Sequence, residues 1–368
     1  MKDEMKNSHQ NLRIILAIAW KDILEGWKNK IILSSIITAL FLVIFYNYLP
    51  ELTRADELPL MVILDPNGYI EYEDTVGITD FNYRIEQEES IFYHILRDME
   101  TPTIGLELKE DLHNLESKLP LNLQGYYPYW MKPSQMNDIT TSAEMTLENI
   151  WQIPIEINKD RQIIYPVMGD YSFGKTFLAT AGLLIQLAIM GLSMAPQLIV
   201  EEKESQTLQA IVLSPANLTH FIAGKTLTVL FYTVLTTAIG LFFIGPLVIN
   251  WGLTLAALLI GMLTIIIPGI LLGVLLESKQ QIQIWVWVMF IPVMLPIFFS
   301  VVRVLPEGIM KVVDWWPTIA LSRVLRAGFT LKPPLNTYGI EVVYLLSLCL
   351  VFFGITLWTI HRQRIKGA

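Results

Sequence analysis

Apolar runs separated by polar segments dominate the hydrophobicity pattern of this chain. Six of these runs are close to the ~20 residues that a helix needs to cross a bilayer. They cover residues 31–49, 173–200, 218–246, 251–276, 282–301 and 338–361. The pattern predicts an α-helical integral membrane protein with six transmembrane helices.

The segment 50–172, between the first two runs, carries the alternating strand and helix signals of an α/β domain. Its predicted strands are Leu60–Leu64, Thr103–Leu108, Leu121–Tyr127, Ile153–Ile157 and Gln162–Val167. Its predicted helices are Tyr83–Met99 and Ser134–Trp151, the second with Ser134 as its N-cap. Because a predicted span lies on each side of it, the domain is expected to be inserted on one face of the bilayer.

The first 30 residues are polar and basic at the start and then become amphipathic. Apolar residues recur there at helical spacing, namely Leu12, Ile15, Leu16, Ala19, Ile23 and Trp27. We interpret 1–30 as an interfacial elbow helix that leads into the first span, and an ordinary soluble helix is the alternative. The run 31–49 is long for a signal peptide and lacks a small-residue cleavage site, so a retained anchor is predicted.

Three further polar segments connect or end the spans. Residues 201–217 form a short charged insert, residues 302–337 combine polar and aromatic positions, and 362–368 form a basic tail. Tryptophan is enriched at membrane interfaces, which favours short interfacial helices for 302–337. Residues 201–217 are predicted to form an amphipathic helix at the membrane surface.

Composition and charge support this assignment. The chain is 53% hydrophobic and only 16% charged, whereas soluble domains are about 25% charged. Residues 51–172 hold 23 acidic and 8 basic residues, while the remainder holds 11 acidic and 18 basic residues. This asymmetry indicates two environments, and nucleic-acid binding is not expected because no basic face is evident. A single cysteine excludes an intrachain disulfide framework, which fits a bacterial or archaeal cell surface better than an animal one.

The positive-inside rule predicts the orientation. Both the N-terminal segment and the tail are basic, which requires an even number of spans and places both termini in the cytoplasm. The α/β domain is then extracytoplasmic. The loop from Arg303 to Lys332 holds five basic residues on the predicted outer side, which is contrary to the rule.

One nucleotide-binding motif is a false match. The run Gly169–Thr176 fits the phosphate-loop pattern G-x-x-x-x-G-K-[ST], but a predicted span follows it and no ATPase-sized domain surrounds it. We interpret Lys175 as a side chain that reaches the membrane interface. The sequence holds no metal-binding H-E-x-x-H pair and no G-x-S-x-G nucleophile motif, so no catalytic residue and no metal site are predicted. Few ionisable residues lie in the spans, which argues against intrinsic ion coupling.

The insert after the second span carries the main candidate site. Glu201, Glu202 and Glu204 are followed by an apolar stripe at Leu208, Ile211 and Val212, spaced as on one face of a helix. Such a helix can dock on a soluble partner and transmit its motion. It can equally rest on lipid as a plain connector, and the pattern alone leaves both interpretations open.

This insert resembles the ABC-2 type permeases, the membrane subunits of ATP-driven exporters. The family pattern is roughly E-[KR]-E-x-G-T followed by an apolar stretch, [ST]-P and then G-K. Here it reads Glu202-Lys203-Glu204-Ser205-Gln206-Thr207, then Ser214-Pro215 and Gly224-Lys225. Gln206 replaces the usual glycine, so a less sharp turn is expected. The elbow residues Ala19-Trp20-Lys21-Asp22, the inserted domain and the span count also fit the family.

The resemblance implies a function. It implies a permease subunit without its own ATPase site, paired with a second permease (identical or related) and resting on a cytoplasmic ABC ATPase that holds ATP and Mg²⁺. The implied coupling residues are Glu201, Glu202, Lys203, Glu204, Thr207, Leu208, Ile211, Ser214 and Pro215. It also implies a substrate path along the first, second and fifth spans.

The aromatic and Met-rich fifth span adds candidate residues for the substrate path. They are Trp285, Met289, Phe290 and Met294, which favour an apolar or amphipathic cargo. The rival function is a membrane receptor or scaffold whose acidic extracytoplasmic domain binds a ligand or partner. The cargo and the identity of the second permease do not follow from the sequence.

Overall fold

The computed structural model describes residues 2–53, 57–98, 101–109, 120–158, 160–166, 175–205, 218–302 and 306–366. The chain forms two compact units. The helical unit comprises Met1–Asn47, Ala179–Phe329 and Pro333–Ala368, and the α/β unit comprises Tyr48–Leu178 and Thr330–Lys332.

The described helices before and after the sheet of the α/β unit fall into two groups along the chain. Helices α1 (Lys2–Gly26) and α2 (Lys30–Thr53) precede the α/β unit. After it come α5 (Lys175–Ala188), a π-helical turn (Ile189–Met194), α6 (Ala195–Glu204), α7 (Leu218–Ile244), α8 (Trp251–Leu275), α9 (Lys279–Val302), α10 (Glu307–Asp314), α11 (Pro317–Gly328) and α12 (Gly339–Lys366). Short 3₁₀ turns lie at Gly245–Leu247 and Leu335–Thr337.

Five helical stretches among the described residues are long and apolar enough to cross a membrane. They are Lys175–Glu204, Leu218–Leu247, Trp251–Leu275, Lys279–Phe299 and Gly339–Arg362. The first predicted span falls in α2, where the described apolar part is the shorter stretch Ile32–Phe45. The structure therefore supports a multi-pass helical membrane protein, and the count of six spans stays a prediction.

The second predicted span contains a π-helical turn, which the hydrophobicity pattern did not predict. Pro196 stands one residue into α6 and has no N–H to donate to the carbonyl one turn earlier. Ile189–Met194 accommodates this by adopting the wider π-helix. At the same level Gly191 packs against Gly269 of α8, where a Cβ on Gly269 would lie 1.8 Å from the Gly191 carbonyl oxygen. The two helices are thus in backbone contact.

The α/β unit is built on one mixed six-stranded sheet. Its strands are β1 (Leu60–Leu64), β2 (Asn82–Glu86), β3 (Thr103–Glu107), β4 (Leu121–Pro128), β5 (Ile155–Ile157) and β6 (Gln162–Ile164). The strand order is β2-β1-β3-β4-β5, and β6 also pairs with β4. The β1 strand is parallel to β2 and β3, and β3 is antiparallel to β4.

Two helices cover the two faces of this sheet. Helix α3 (Glu89–Asp98) packs on Val62 and Leu64, whereas α4 (Pro133–Trp151) packs on the face that carries Met61 and Ile63. Alternate residues of β1 thus point to opposite cores. All five residues of β1 are buried, as expected for a central strand with both faces covered.

Most of the predicted elements of the α/β unit are confirmed, with two corrections. The predicted helix Tyr83–Met99 was wrong in its first part, because residues 82–86 form the edge strand β2 and the helix begins at Glu89. Pairing with β1 overrides the local helical spacing there. The N-cap of α4 is Lys132 rather than Ser134, with Pro133 in the first helical turn and the Lys132 N–H donating to Gln135 Oε1 at 3.1 Å.

Candidate functional site

A buried lysine lies at the centre of the candidate site. Lys225 stands two turns inside α7 and is only 2% exposed. Its Nζ donates to Asp22 Oδ1 at 3.0 Å, lies 2.9 Å from Asp22 Oδ2, and donates to Glu202 Oε1 at 3.0 Å. An ammonium in an apolar helix needs such partners, because an unpaired buried charge is costly.

The three charged groups come from three different helices. Asp22 belongs to α1, Glu202 to α6 and Lys225 to α7. Burial raises the pKa of Asp22 above its ordinary value of 3.8, and the neighbouring Lys225 charge only partly offsets this. Two carboxylates share one ammonium, so the cluster carries an excess of one negative charge when all three groups are ionised.

The elbow helix reaches Lys225 because α1 and α7 approach closely. Gly224 faces Ile18, whose Cγ2 would lie 2.7 Å from a Cβ built on that glycine. One turn further on, Thr228 Oγ1 donates to the carbonyl of Ala19 at 3.4 Å, and the Tyr232 hydroxyl donates to the carbonyl of Ile23 at 2.6 Å. A glycine next to the lysine therefore lets the Asp22 face of α1 seat on α7.

Helix α1 consequently has two apolar faces rather than the single stripe that we predicted. Ala19 is buried against α7, whereas Leu12, Leu16 and Trp27 of the predicted stripe are exposed. Trp20 and Leu24 extend the exposed face. The exposed face suits contact with lipid, and the buried face holds α1 on the bundle.

Lys203 caps the end of a different helix. Its Nζ donates to the carbonyls of Gly273, Val274 and Leu276 at 2.8, 2.7 and 2.9 Å. These carbonyls close the C-terminus of α8, where the last carbonyls lack partners within the helix and the dipole favours a cation. Lys203 thus ties α6 to the end of α8.

Glu201 and Glu204 contact the start of α9 and the segment between α1 and α2. Glu204 Oε1 accepts the backbone N–H of Lys279 at 2.8 Å, and the Lys279 Nζ lies 3.8 Å from a carboxylate oxygen of each glutamate. Asn29 Nδ2 donates to Glu201 Oε2 at 2.9 Å. Exposed ion pairs contribute only about 0–1 kcal/mol, so these contacts fix geometry more than they add stability.

The predicted coupling residues divide into two sets. Glu201, Glu202, Lys203 and Glu204 form the last turn of α6 instead of the start of a separate helix, and together they contact α1, α7, α8 and α9. Thr207, Leu208, Ile211, Ser214 and Pro215 lie outside the described residues. Each side chain of this turn contacts a neighbouring element, which holds the end of α6 in place.

A cavity opens beside this turn. It has a volume of about 280 Å³ and is lined by both charged and apolar side chains. The charged lining comes from Lys21, Asp22, Glu25, Glu201, Glu202 and Lys225. A displacement of the α6 end would therefore change the contacts of the α1 and α7 side chains that line the same cavity.

The sequence analysis missed Asp22, Asn29 and Lys279 as members of the site. Lys225 was named there only as part of the family's G-K pattern, although it lies inside the helix that begins at Leu218. The sequence contained part of the information needed to predict the Asp22–Lys225 pair, because a lysine inside an apolar span needs an acidic partner. Asp22 is an acidic residue on the buried face of α1.

The predicted substrate-path residues do not share one face of α9. Trp285 is exposed, Met289 and Phe290 are half-buried, and Met294 is buried. At about 100° per residue, Trp285 and Met294 lie on opposite sides of the helix. The structure does not bring these four residues together, and their role stays a prediction.

The α/β unit has a groove of its own. The groove has a volume of about 620 Å³ and lies between α4 and the segments that precede β1, β2 and β3. Phe81 and Ile139 contribute apolar surface to it, and Glu57, Asp80 and Asp138 contribute carboxylates. This combination suits a ligand that is both cationic and apolar.

The phosphate-loop match has one described contact of note. Residues 169–174 lie outside the described part of the chain, and α5 begins at Lys175. The Lys175 Nζ lies 3.8 Å from the centroid of the Trp130 ring, a cation–π contact within the α/β unit. Within the described residues, no group of three or more His, Cys, Asp or Glu side chains is placed to hold a metal ion.

Comparison with protein families identifies the family of this chain. The family model described as "ABC-2 family transporter protein" matches residues 30–358. This range begins at the first residue of α2 and includes the charged turn at Glu201–Glu204 and Lys225. Among curated proteins and solved structures, none matches the chain significantly.

Proposed function

We propose that this chain, which belongs to the ABC-2 transporter family and is a permease of that family, is the membrane subunit of an ATP-driven exporter. It would pair with a second permease, identical or related, and each permease would rest on a cytoplasmic ABC ATPase that holds ATP and Mg²⁺. Both termini and the charged turn would face the cytoplasm of a bacterial plasma membrane. The cargo would be apolar or amphipathic and would move outward.

The observation that carries this proposal is the position of Glu201–Glu204. These four residues end the second span and reach side chains or carbonyls of α7, α8 and α9 and the α1–α2 segment. A push on the segment that follows Glu204 would be passed to four other elements at once. Closure of the ATPase pair on ATP would supply that push and shift the permease pair from inward-open to outward-open.

The test measures coupling. Glu202→Gln, Glu204→Gln and Leu208→Pro are each expected to leave the permease in the membrane while ATP hydrolysis by the co-purified ATPase no longer drives export. A fluorescent lipophilic cation such as rhodamine 6G serves as the transport probe in inside-out vesicles. Glu307→Gln is the matched control, since it makes the same change on an exposed residue of α10. Normal ATP-driven export by all three variants would refute the proposal.

A receptor or scaffold role is the second candidate, and the groove of the α/β unit favours it. An acidic, partly apolar groove can capture a ligand without any transport step. Co-purification separates the two functions, because a permease should retain an ATPase chain and lose it when the segment after Glu204 is disrupted. A chain that never retains an ATPase but binds a ligand in the α/β unit would support the receptor.

A further inference from the structure

A second charged cavity lies elsewhere in the helical unit. It has a volume of about 170 Å³ and lies between α10, α11 and the start of α12. Gly328, the last residue of α11, accepts the backbone N–H groups of Ile249 and Asn250 just before α8 begins. Lys203 caps the opposite end of α8, and no residue of the coupling turn lines this cavity.

The cavity contains one cation and two carboxylates. Arg323 donates to the side chain of Asp314 at 2.9 Å and to its carbonyl at 3.2 Å, and lies 3.5 Å from Glu341 Oε1. When all three groups are ionised, the cluster carries an excess of one negative charge. An anion would be repelled by this excess, whereas a cation would neutralise it.

One carboxylate oxygen in the cluster lacks a donor. The Glu341 side chain is 17% exposed, and its Oε2 atom is buried without a hydrogen-bond partner among the described residues. Leaving a buried acceptor unpaired is unfavourable, more so when it is charged. A ligand that brings an N–H donor would satisfy this oxygen.

The walls of the cavity are aromatic and apolar. Trp315 and Tyr344 meet edge to face, with ring centroids 6.3 Å apart. Trp315 is 67% exposed and Ile340 is 65% exposed, so an apolar surface continues from the cavity to the outside of the bundle. Aromatic rings next to a carboxylate favour an ammonium group, and the apolar surface can hold an attached alkyl chain.

We propose that this cavity binds the ammonium headgroup of an amphiphile. The ammonium donates to Glu341 Oε2 and contacts the Trp315 and Tyr344 rings, while the alkyl chain lies along Trp315 and Ile340. The ammonium can come from an aminophospholipid of the bilayer or from an amphiphilic amine that the permease transports. The proposal goes beyond the exporter function and requires only that the chain lies in a membrane.

The first arm of the test measures binding of a free amine. The full-length protein is placed in nanodiscs of phosphatidylglycerol, which lack amine lipids, and dodecylamine is titrated while intrinsic fluorescence is followed. Saturable binding is expected, with dodecanol at least about tenfold weaker because it lacks the charge. Glu341→Gln should weaken dodecylamine binding by about tenfold, and Glu307→Gln should leave it unchanged.

The second arm identifies the source of the ammonium. The protein is released from nanodiscs of mixed phosphatidylethanolamine and phosphatidylglycerol and examined by native mass spectrometry. Retained phosphatidylethanolamine that is lost in Glu341→Gln supports a resident lipid. Dodecylamine binding without retained phosphatidylethanolamine supports a free amphiphilic amine.

Two results would overturn the proposal. One is equal binding of dodecylamine and dodecanol, and the other is wild-type affinity of the Glu341→Gln protein for dodecylamine. If Glu341→Gln does not fold, Trp315→Ala provides the test of the site, because this variant keeps the ion cluster and removes one aromatic wall of the cavity. Its affinity for dodecylamine should fall several-fold, and an unchanged affinity would reject the site.

Discussion

Lys225 Nζ lies 2.9 Å from Asp22 Oδ2, although 203 residues separate the two in sequence. Both side chains are almost fully buried. The pair therefore fixes how α1 sits on α7, and Glu202 adds the end of α6 to the same ammonium. This shared lysine links the elbow helix to the proposed coupling turn, and Lys21 Nζ adds a second contact 3.9 Å from Glu202 Oε1.

Removal of Lys225 alone should lower the stability of the protein more than removal of the Lys225 and Asp22 charges together. Lys225→Met leaves Asp22 and Glu202 without the buried ammonium between them, and only the exposed Lys21 remains, 3.9 Å from Glu202. Breaking a buried ion pair costs about 3–5 kcal/mol. The double variant Asp22→Asn with Lys225→Met removes the buried charge pair and should recover part of this loss. Thermal unfolding of the four proteins of this cycle measures the coupling, which should reach about 1–3 kcal/mol. Additive effects would show that the pair does not act as a unit.

Lys203→Met should destabilise the end of α8. The change removes a charged donor from three carbonyls, and hydrogen bonds to charged groups contribute about 1.5–3 kcal/mol. Faster amide hydrogen exchange is expected in the last turn of α8, with the unfolding temperature lowered. Lys203→Arg keeps the charge and several N–H donors, so it should restore part of the protection.

Lys311→Met is the matched control for the lysine cap, because Lys311 is an exposed residue of α10. Its exchange rates in the last turn of α8 should equal those of the wild-type protein. Unchanged exchange in Lys203→Met itself would mean that the three carbonyls do not depend on this side chain.

The backbone contact between Gly191 and Gly269 should not tolerate a side chain. Gly269→Ala places a Cβ 1.8 Å from the Gly191 carbonyl oxygen, so the second and fourth predicted spans must move apart. Overpacking of this kind costs about 1–3 kcal/mol. Gly354→Ala is the matched control, because nothing lies within 4 Å of the added atom, and alanine is favoured over glycine in a helix by about 1 kcal/mol. Similar unfolding temperatures for the two variants would contradict the close packing.

The sequence predicted the α/β region well because its signals are local. The apolar run Leu60–Leu64 and the periodic segment of α4 correspond to a buried strand and a covering helix. The helix prediction was wrong at residues 82–86, because these residues form an exposed edge strand that depends on pairing with β1. Local spacing cannot report a pairing partner that is distant in sequence.

The candidate site was predictable only where charge stood out against an apolar background. The acidic turn at Glu201–Glu204 was found for this reason, and its contacts with Asn29, Lys225 and Lys279 were not. Those contacts require the packing of α1, α7 and α9 around α6. The dispersion of Trp285 and Met294 around α9 could have been deduced from helical geometry alone.

Tyr129 allows a prediction of alkaline stability for the α/β unit. Burial raises the pKa of its phenol above the ordinary value of 10.0, and its hydroxyl has no hydrogen-bond partner among the described residues. Near pH 7 the phenol is neutral in the folded and unfolded states, so Tyr129→Phe should be neutral or slightly stabilising. Above pH 10 the unfolded chain loses this proton while the folded one keeps it, so the stability of the wild-type protein falls as the pH rises.

The expected difference between the two proteins is about 1.4 kcal/mol per pH unit above pH 10. Urea unfolding of the full-length protein in nanodiscs at pH 7 and pH 11, followed by near-ultraviolet circular dichroism, measures this difference. Because the variant lacks only the titrating hydroxyl, other alkaline effects cancel in the comparison. Equal losses of stability in both proteins between pH 7 and pH 11 would show that Tyr129 ionises as readily in the folded unit as in the unfolded chain.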